Sequence, residues 1–172
     1  NTRIEREFDV LGNITKEAIS LDGKLHQETE QVFDAVGNRF ALDVLNQGFG
    51  SKRLFEYTAT NKLAGCRIPG TAVNLSYEYS TAGVLTKRSC KAYVREIEHK
   101  ASNRLPSAVV HSLGGSELFK EDAQWDAKGL LEKYTYGAKD SLERTNTYAY
   151  DVRDRYSYGT SRTNDKETKS CT

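Results

Sequence analysis

The side chains here that could carry chemistry are the aspartates Asp9, Asp34, Asp126 and Asp151, three histidines, three cysteines and a set of paired tyrosines. Carboxylates could move protons or hold calcium, histidines and thiols could hold a transition metal, and ring pairs could stack on a sugar. His26, His99 and His111 are scattered, without the paired spacing of a metal site. Cys66, Cys90 and Cys171 are odd in number and far apart, so at most one disulfide could form, and packed or free thiols are expected. The sequence has no nucleophile elbow, no Gly-rich phosphate loop and no Cys/His neighbourhood. The four aspartates recur in one local setting, where an Asp side chain accepts backbone N–H groups and caps a turn. Calcium binding by such turns would need the spacing of an EF-hand or a nonapeptide repeat, which is absent. The reading is therefore non-catalytic, with no catalytic, cofactor-binding or metal residues and no cofactor.

The tyrosines offer more. Tyr77/Tyr79, Tyr134/Tyr136, Tyr148/Tyr150, Tyr156/Tyr158 and the related Phe55/Tyr57 are each two residues apart. Period two puts both rings on one face of a strand, where they pack against cross-strand neighbours. Sheet packing accounts for them; the sharper alternative is a glycan or partner platform using Tyr77, Tyr79, Tyr134 and Tyr136.

What positions these residues is a repeated stretch, Phe8-Asp9-Val10-Leu11-Gly12-Asn13-Ile14. Further copies begin at Phe33, Tyr57, Tyr79, His99, Trp125, Tyr136 and Tyr150, wide apart at first and crowded towards the end. The fifth position is Gly12, Gly37, Asn61, Gly83, Asn103, Gly129, Asp140 or Asp154, the residue types that best accept positive φ. A type I turn opened by Asp and closed by a left-handed residue is a common hairpin connection. Each copy thus reads as strand, tight turn, strand. Between copies, Asp22-Gly23, Asn46 to Ser51, the stretch around Gly70, Ser89 to Lys91 and Gly114-Gly115 supply return turns at the other edge. The expected fold class is all-β, an antiparallel meander of repeated β-hairpins.

Aromatic-Asp-x-x-Gly-Asn-apolar, as in Phe8 to Ile14 and Phe33 to Asn38, resembles the YD repeat of the rearrangement-hotspot (Rhs) and YD-repeat proteins, from about Arg6 to Tyr158. The resemblance implies a segment of a large curved or spiral sheet that closes into a hollow shell. In bacterial polymorphic toxins that shell encapsulates a toxin domain; in teneurin-like animal members it is an extracellular adhesion module. Implied partners are the remainder of a parent chain, its toxin domain and secretion-system components, and the implied location is outside the cell by way of the parent. Some Rhs-like shells resemble self-cleaving proteases with an Asp-Pro motif. Neither Pro69 nor Pro106 follows an Asp, so that activity is not carried over.

Composition fits a structural role. Twenty-five Lys and Arg against 24 Asp and Glu leave a formal net charge of +1, with signs interspersed. That pattern gives no electrostatic reason to expect nucleic acid or an anionic membrane. No apolar run is long enough to span a bilayer, and no signal peptide is visible; with no Met in 172 residues, the chain reads as a piece of something longer. Residues 1–158 are expected to form the repeat sheet and 159–172 a polar, frayed tail. Residues 106–124 are the place where a helical turn would interrupt the meander. Past Trp125 the crowded copies predict shorter strands, or an irregularity at 139–143.

Overall fold

The computed structural model describes residues 1–138, 143–163 and 166–171. All regular structure among these residues is β, in two compact units, Asn1–Tyr77 and Glu78–Thr172. The first holds β1 (Thr2–Phe8), β2 (Ile14–Leu21), β3 (Lys24–Phe33), β4 (Arg39–Asn46), β5 (Phe49–Tyr57), β6 (Leu63–Arg67) and most of β7 (Asn74–Tyr79). The second holds β8 (Leu85–Cys90), β9 (Tyr93–His99), β10 (Pro106–Leu113), β11 (Ser116–Trp125), β12 (Leu131–Ala138), β13 (Glu143–Tyr150), β14 (Tyr156–Thr163) and β15 (Lys166–Cys171). Strand order follows chain order within each unit. This is the expected all-β meander.

Two kinds of turn alternate. On one rim of each unit lie the turns of the repeated stretch. There Asp9 N donates to Asn13 O (3.0 Å) and Gly12 N to Asp9 O (3.1 Å); the same pair of bonds recurs from Asp34, Thr58, Ser80, Asp126 and Asp151. Gly12, Gly37, Asn61, Gly83, Gly129 and Asp154 all have positive φ, between 58° and 85°. The strand ladder slips by one residue at the ring itself, at Phe8, Phe33, Tyr57, Trp125 and Tyr150. A type I turn closed by a left-handed residue produces this bulge. On the opposite rim, Asp22-Gly23, Gln47-Gly48 and Gly114-Gly115 have two successive positive φ angles, the signature of the two-residue I′ hairpin.

Four expectations need correction. Asn103 is not left-handed: Arg104 is, at φ 58°. This turn is one residue longer, Lys100 N donating to Leu105 O and Arg104 N to Lys100 O, both at 2.9 Å. Asn103 Oδ1 instead accepts Leu105 N at 3.1 Å. The copy at Tyr136 is not one of the series, because Tyr136 lies near the end of β12, at the rim opposite Trp125; its Asp140 is outside the described residues. Without it, successive rings from Phe8 to Tyr150 are 20 to 26 residues apart. The crowding disappears, and β12, β13 and β14 have eight residues each rather than fewer. No helical turn occupies 106–124. β10 and β11 run through it, since Val109 and Val110 favour extended backbone and Gly114-Gly115 closes a tight hairpin. Nor does the chain fray at Gly159: β14 continues to Thr163, paired with β13 and β15. Low hydrophobicity suggested disorder, but Thr and Tyr suit a strand.

Among the described residues, neither unit has a second layer. The buried apolar side chains are Ala108 and Val109, while Phe8, Phe40 and Phe49 in the first unit and Leu113, Leu118 and Tyr158 in the second stand exposed. A sheet ordinarily buries one face against another element. Here stability rests on the strand ladder, the turns and contacts within one face.

Candidate functional site

The aspartates act within their turns. Asp9 Oδ1 accepts the N–H groups of Leu11 and Asn13, both at 2.9 Å, and Oδ2 accepts Asn13 Nδ2 at 2.9 Å. Asp34 repeats the clamp with Val36 N (3.0 Å), Asn38 N (2.8 Å) and Asn38 Nδ2 (3.0 Å). Thr58 and Ser80 substitute a hydroxyl, which accepts Lys62 N and Val84 N. Asp126 takes Lys128 N and Leu130 N, and Asp151 takes Arg153 N, Arg155 N and Arg155 Nε. The Asn13 side-chain amide, followed by backbone N–H groups, holds the Asp9 carboxyl below the ordinary aspartate value. Asn38 does so for Asp34, and Arg155 for Asp151. Among the described residues, no group of three or more His, Cys, Asp or Glu could hold a metal ion. Cys66 and Cys90 are free thiols.

The leading ring of each stretch ties hairpin to hairpin. Tyr57 OH donates to Arg39 O (2.9 Å), Trp125 Nε1 to Pro106 O (2.6 Å) and Tyr150 OH to Leu131 O (3.0 Å). In all three the acceptor is the residue that opens the strand after the preceding turn of the series. Side chains add further links along this rim. Asn38 Nδ2 reaches Asn61 Oδ1 at 3.2 Å, Lys100 Nζ reaches Trp125 O at 2.8 Å, and Lys128 Nζ pairs with Asp154 at 2.6 Å.

The two faces of each sheet differ. Residues directly opposite in the register share a face. One face carries interleaved charge: Lys16 with Glu28 (3.1 Å) and Glu30 (3.3 Å) in the first unit. In the second, Lys87 lies between Glu78 and Glu96, and Lys120 pairs with Asp122. The other face carries the rings. In the second unit these surround a polar network. Tyr93 OH and His111 Nδ1 are 2.6 Å apart, His111 Nε2 and Glu121 Oε1 2.9 Å, and Tyr134 OH donates to Glu121 Oε2 at 2.6 Å. Because a carboxylate only accepts, the Nε2 of His111 carries a proton, and in the neutral ring Nδ1 accepts from Tyr93. Burial, reinforced by Glu121, pushes the Tyr134 hydroxyl well above its ordinary value, so it stays a donor. Phe119 lies against His111 (centroids 5.6 Å apart) and Tyr136 (6.0 Å).

Of the four tyrosines proposed as contacts, Tyr134 and Tyr136 come together, with centroids 5.5 Å apart. Both are half-buried, and Tyr136 OH accepts Arg144 Nη1 at 3.2 Å. Tyr77 and Tyr79 are half-buried on one face of β7. Sequence reasoning missed Tyr93, His111 and Glu121 as a network. They sit on three strands, and only the register of β9, β10 and β11 brings them together.

No family model and no curated protein matches the sequence. Solved structures do. The geometry defines a segment of repeated-hairpin sheet, and the chains it superposes on are Rhs/YD-repeat shell proteins of Tc toxin complexes. One is the Tc holotoxin pore of Photorhabdus luminescens, in a form with a substitution in TccC3, at TM-score 0.77 and 12% identity over 98% of this chain. Another is a crystal structure of TcdB2-TccC3-TEV, at TM-score 0.68 and 13% identity over 99% of this chain. This chain spans 9% and 12% of those chains, so the likeness is to a short stretch of each.

Proposed function

We propose that the chain is a stretch of wall in an Rhs/YD-repeat shell, structural and non-catalytic, which encapsulates the toxin domain of a secreted bacterial polymorphic toxin. One observation carries this reading: nearly all of a chain of repeated hairpins, uncovered on both faces, superposes on about a tenth of large Tc toxin chains. A bare sheet is an unfavourable free-standing design, because large side chains such as Phe49 stay in water. As part of a wall, the same sheet separates two spaces while its backbone groups are satisfied by neighbouring strands. Its partners would be the rest of the parent chain, the enclosed toxin domain and secretion-system components, all acting outside the producing cell. The test is purification of the full-length parent followed by protease treatment. A polypeptide that co-purifies and survives digestion supports the wall, whereas a parent whose every segment is cut at equal rates contradicts it.

An extracellular adhesion or carbohydrate-binding module is the alternative proposal, resting on the same-face pairs Tyr77/Tyr79 and Tyr134/Tyr136. Glycan-array binding that disappears on Tyr77→Ala/Tyr79→Ala substitution would favour it.

A further inference from the structure

On the ring faces Arg6, Arg39 and Arg144 are engaged, while Arg53 is exposed to solvent. Arg6 pairs with Glu17 at 2.6 Å. Arg39 stacks on Phe55 and donates to Gln31, and Arg144 donates to Tyr136 and Thr163. Arg88 of β8 and Arg95 of β9 break the pattern. They stand directly opposite each other in the register. The Nε of each is shielded from solvent and makes no hydrogen bond, and neither guanidinium has an ion-pair partner among the described residues. Glu121, the acid that lines the same cavity as Arg95, is already taken by His111 and Tyr134. Like charges facing each other across a strand pair are destabilising, and a shielded, unbonded N–H adds the cost of lost solvation. An acidic group placed between the two would offset the like-charge penalty, since a guanidinium fork matches a carboxylate.

Arg95 also lines a cavity of about 220 Å³, whose other walls include Pro106, Val109, Trp125, Leu131 and Tyr134. An unpaired cation and an apolar hollow therefore meet at one side chain.

We infer that the ring face of β8 to β12 is a docking site for an extended polypeptide segment that presents a carboxylate to Arg88 and Arg95 and seats a neighbouring apolar side chain in the cavity beside Trp125. Alternate residues of an extended segment face the same way, so an acidic residue followed two positions later by an apolar one has the required spacing. The inference goes beyond the wall reading and does not depend on it.

Trp125 is the only tryptophan in the chain, so its emission reports on the cavity. The experiment titrates the full chain with the peptide acetyl-Gly-Glu-Gly-Leu-Gly-amide, with the versions carrying Gln for Glu or Gly for Leu, and with inorganic phosphate. The expected result is a saturable shift in Trp125 emission with the first peptide, weakened roughly tenfold or more in the Gln version and in Arg88→Gln/Arg95→Gln. That variant should unfold at the same or a higher temperature than the native chain, because it loses a like-charge pair; this separates lost binding from lost folding. Equal shifts with the Glu and Gln peptides, or a response unchanged by the double substitution, would overturn the inference. So would phosphate acting as well as the peptide with the Leu-to-Gly version no weaker, which would mean a simple anion site.

Discussion

The two rims of each unit solve one problem by different means. Both must reverse the chain and bind one hairpin to the next. On the rim of the repeated stretch, side chains do this: Asp34 clamps its own turn, and Tyr57, Trp125 and Tyr150 reach the carbonyl of the hairpin before. On the opposite rim the recurring bonds are main-chain ones, with side-chain links only where Gln47 Nε2 meets His26 Nδ1 (3.0 Å) and the Asn1 terminus meets Asp22. Asp22 N donates to Asn1 O (2.8 Å), Gln47 N to His26 O (3.1 Å) and Gly114 N to Ala92 O (2.9 Å), so the ladder between hairpins runs on into the turn. The lesson is that a rim built from side chains leaves a residue pattern, and one built from main chain leaves only a conformational demand.

The largest effect is expected where the two rims agree. Gly37 and Gly23 have φ of 85° and 76°, and a Cβ at either would meet nothing within 4 Å. Valine at either position should therefore cost about 1–2 kcal/mol or more from backbone conformation alone. Gly50, with equal space and no positive φ, should accept valine within about 0.5 kcal/mol. Chemical denaturation of the three variants checks this, and equal losses at all three would remove the conformational explanation.

A smaller effect separates the rims. Tyr150→Phe deletes one hairpin-to-hairpin bond and should cost about 1 kcal/mol. Lys91→Ala on the other rim removes only an exposed side chain and keeps an L residue at the same positive φ, so it should stay within about 0.5 kcal/mol. Stability curves that rank these two the other way round would reverse the assignment of side-chain and main-chain rims.

Acid should loosen one rim selectively. Asp9, Asp34 and Asp151 have carboxyls held below their ordinary value. Their contribution is present above the unfolded aspartate value, near pH 4, and is lost as pH falls through the lower folded value. Hydrogen exchange at Leu11, Asn13, Val36 and Asn38, corrected for intrinsic pH dependence, should accelerate in strong acid. Exchange at Asp22, Gln47 and Gly114 should not follow it. The smallest change is expected at Asn61, left-handed at φ 58°. Glycine there should change stability by no more than about 0.5 kcal/mol, because relief of strain offsets loss of the Asn38 contact; a thermal melt will show it.

The contrast between rims also explains what could be read from the sequence. Phe8-Asp9 and Phe33-Asp34 announce their turns because carboxylate, ring and glycine each have a bond or an angle to supply. Lys91, positive at φ 54° on the other rim, ends the Ser89–Lys91 stretch read as a return turn, although lysine itself does not favour that conformation. Asn103 misled because Asn suits a left-handed slot, yet here its side chain serves Leu105 and the slot falls to Arg104. Tyr136 misled because a ring two residues after another marks a strand face anywhere along the strand, not only beside a turn. Arg88 facing Arg95 and His111 reaching Glu121 were illegible for a further reason. A one-residue slip of β9 would break the first arrangement and one of β10 the second, and register is set by turns and bulges rather than by those residues.

The central claim is that this sheet is one stretch of a wall, and a density map of the full-length parent chain tests it most directly. The account predicts that the strands in the positions of β1 to β15 continue into further strands of a closed shell, with separate polypeptide density inside. A map in which they form a free-standing sheet, exposed to solvent on both faces and enclosing nothing, would contradict it.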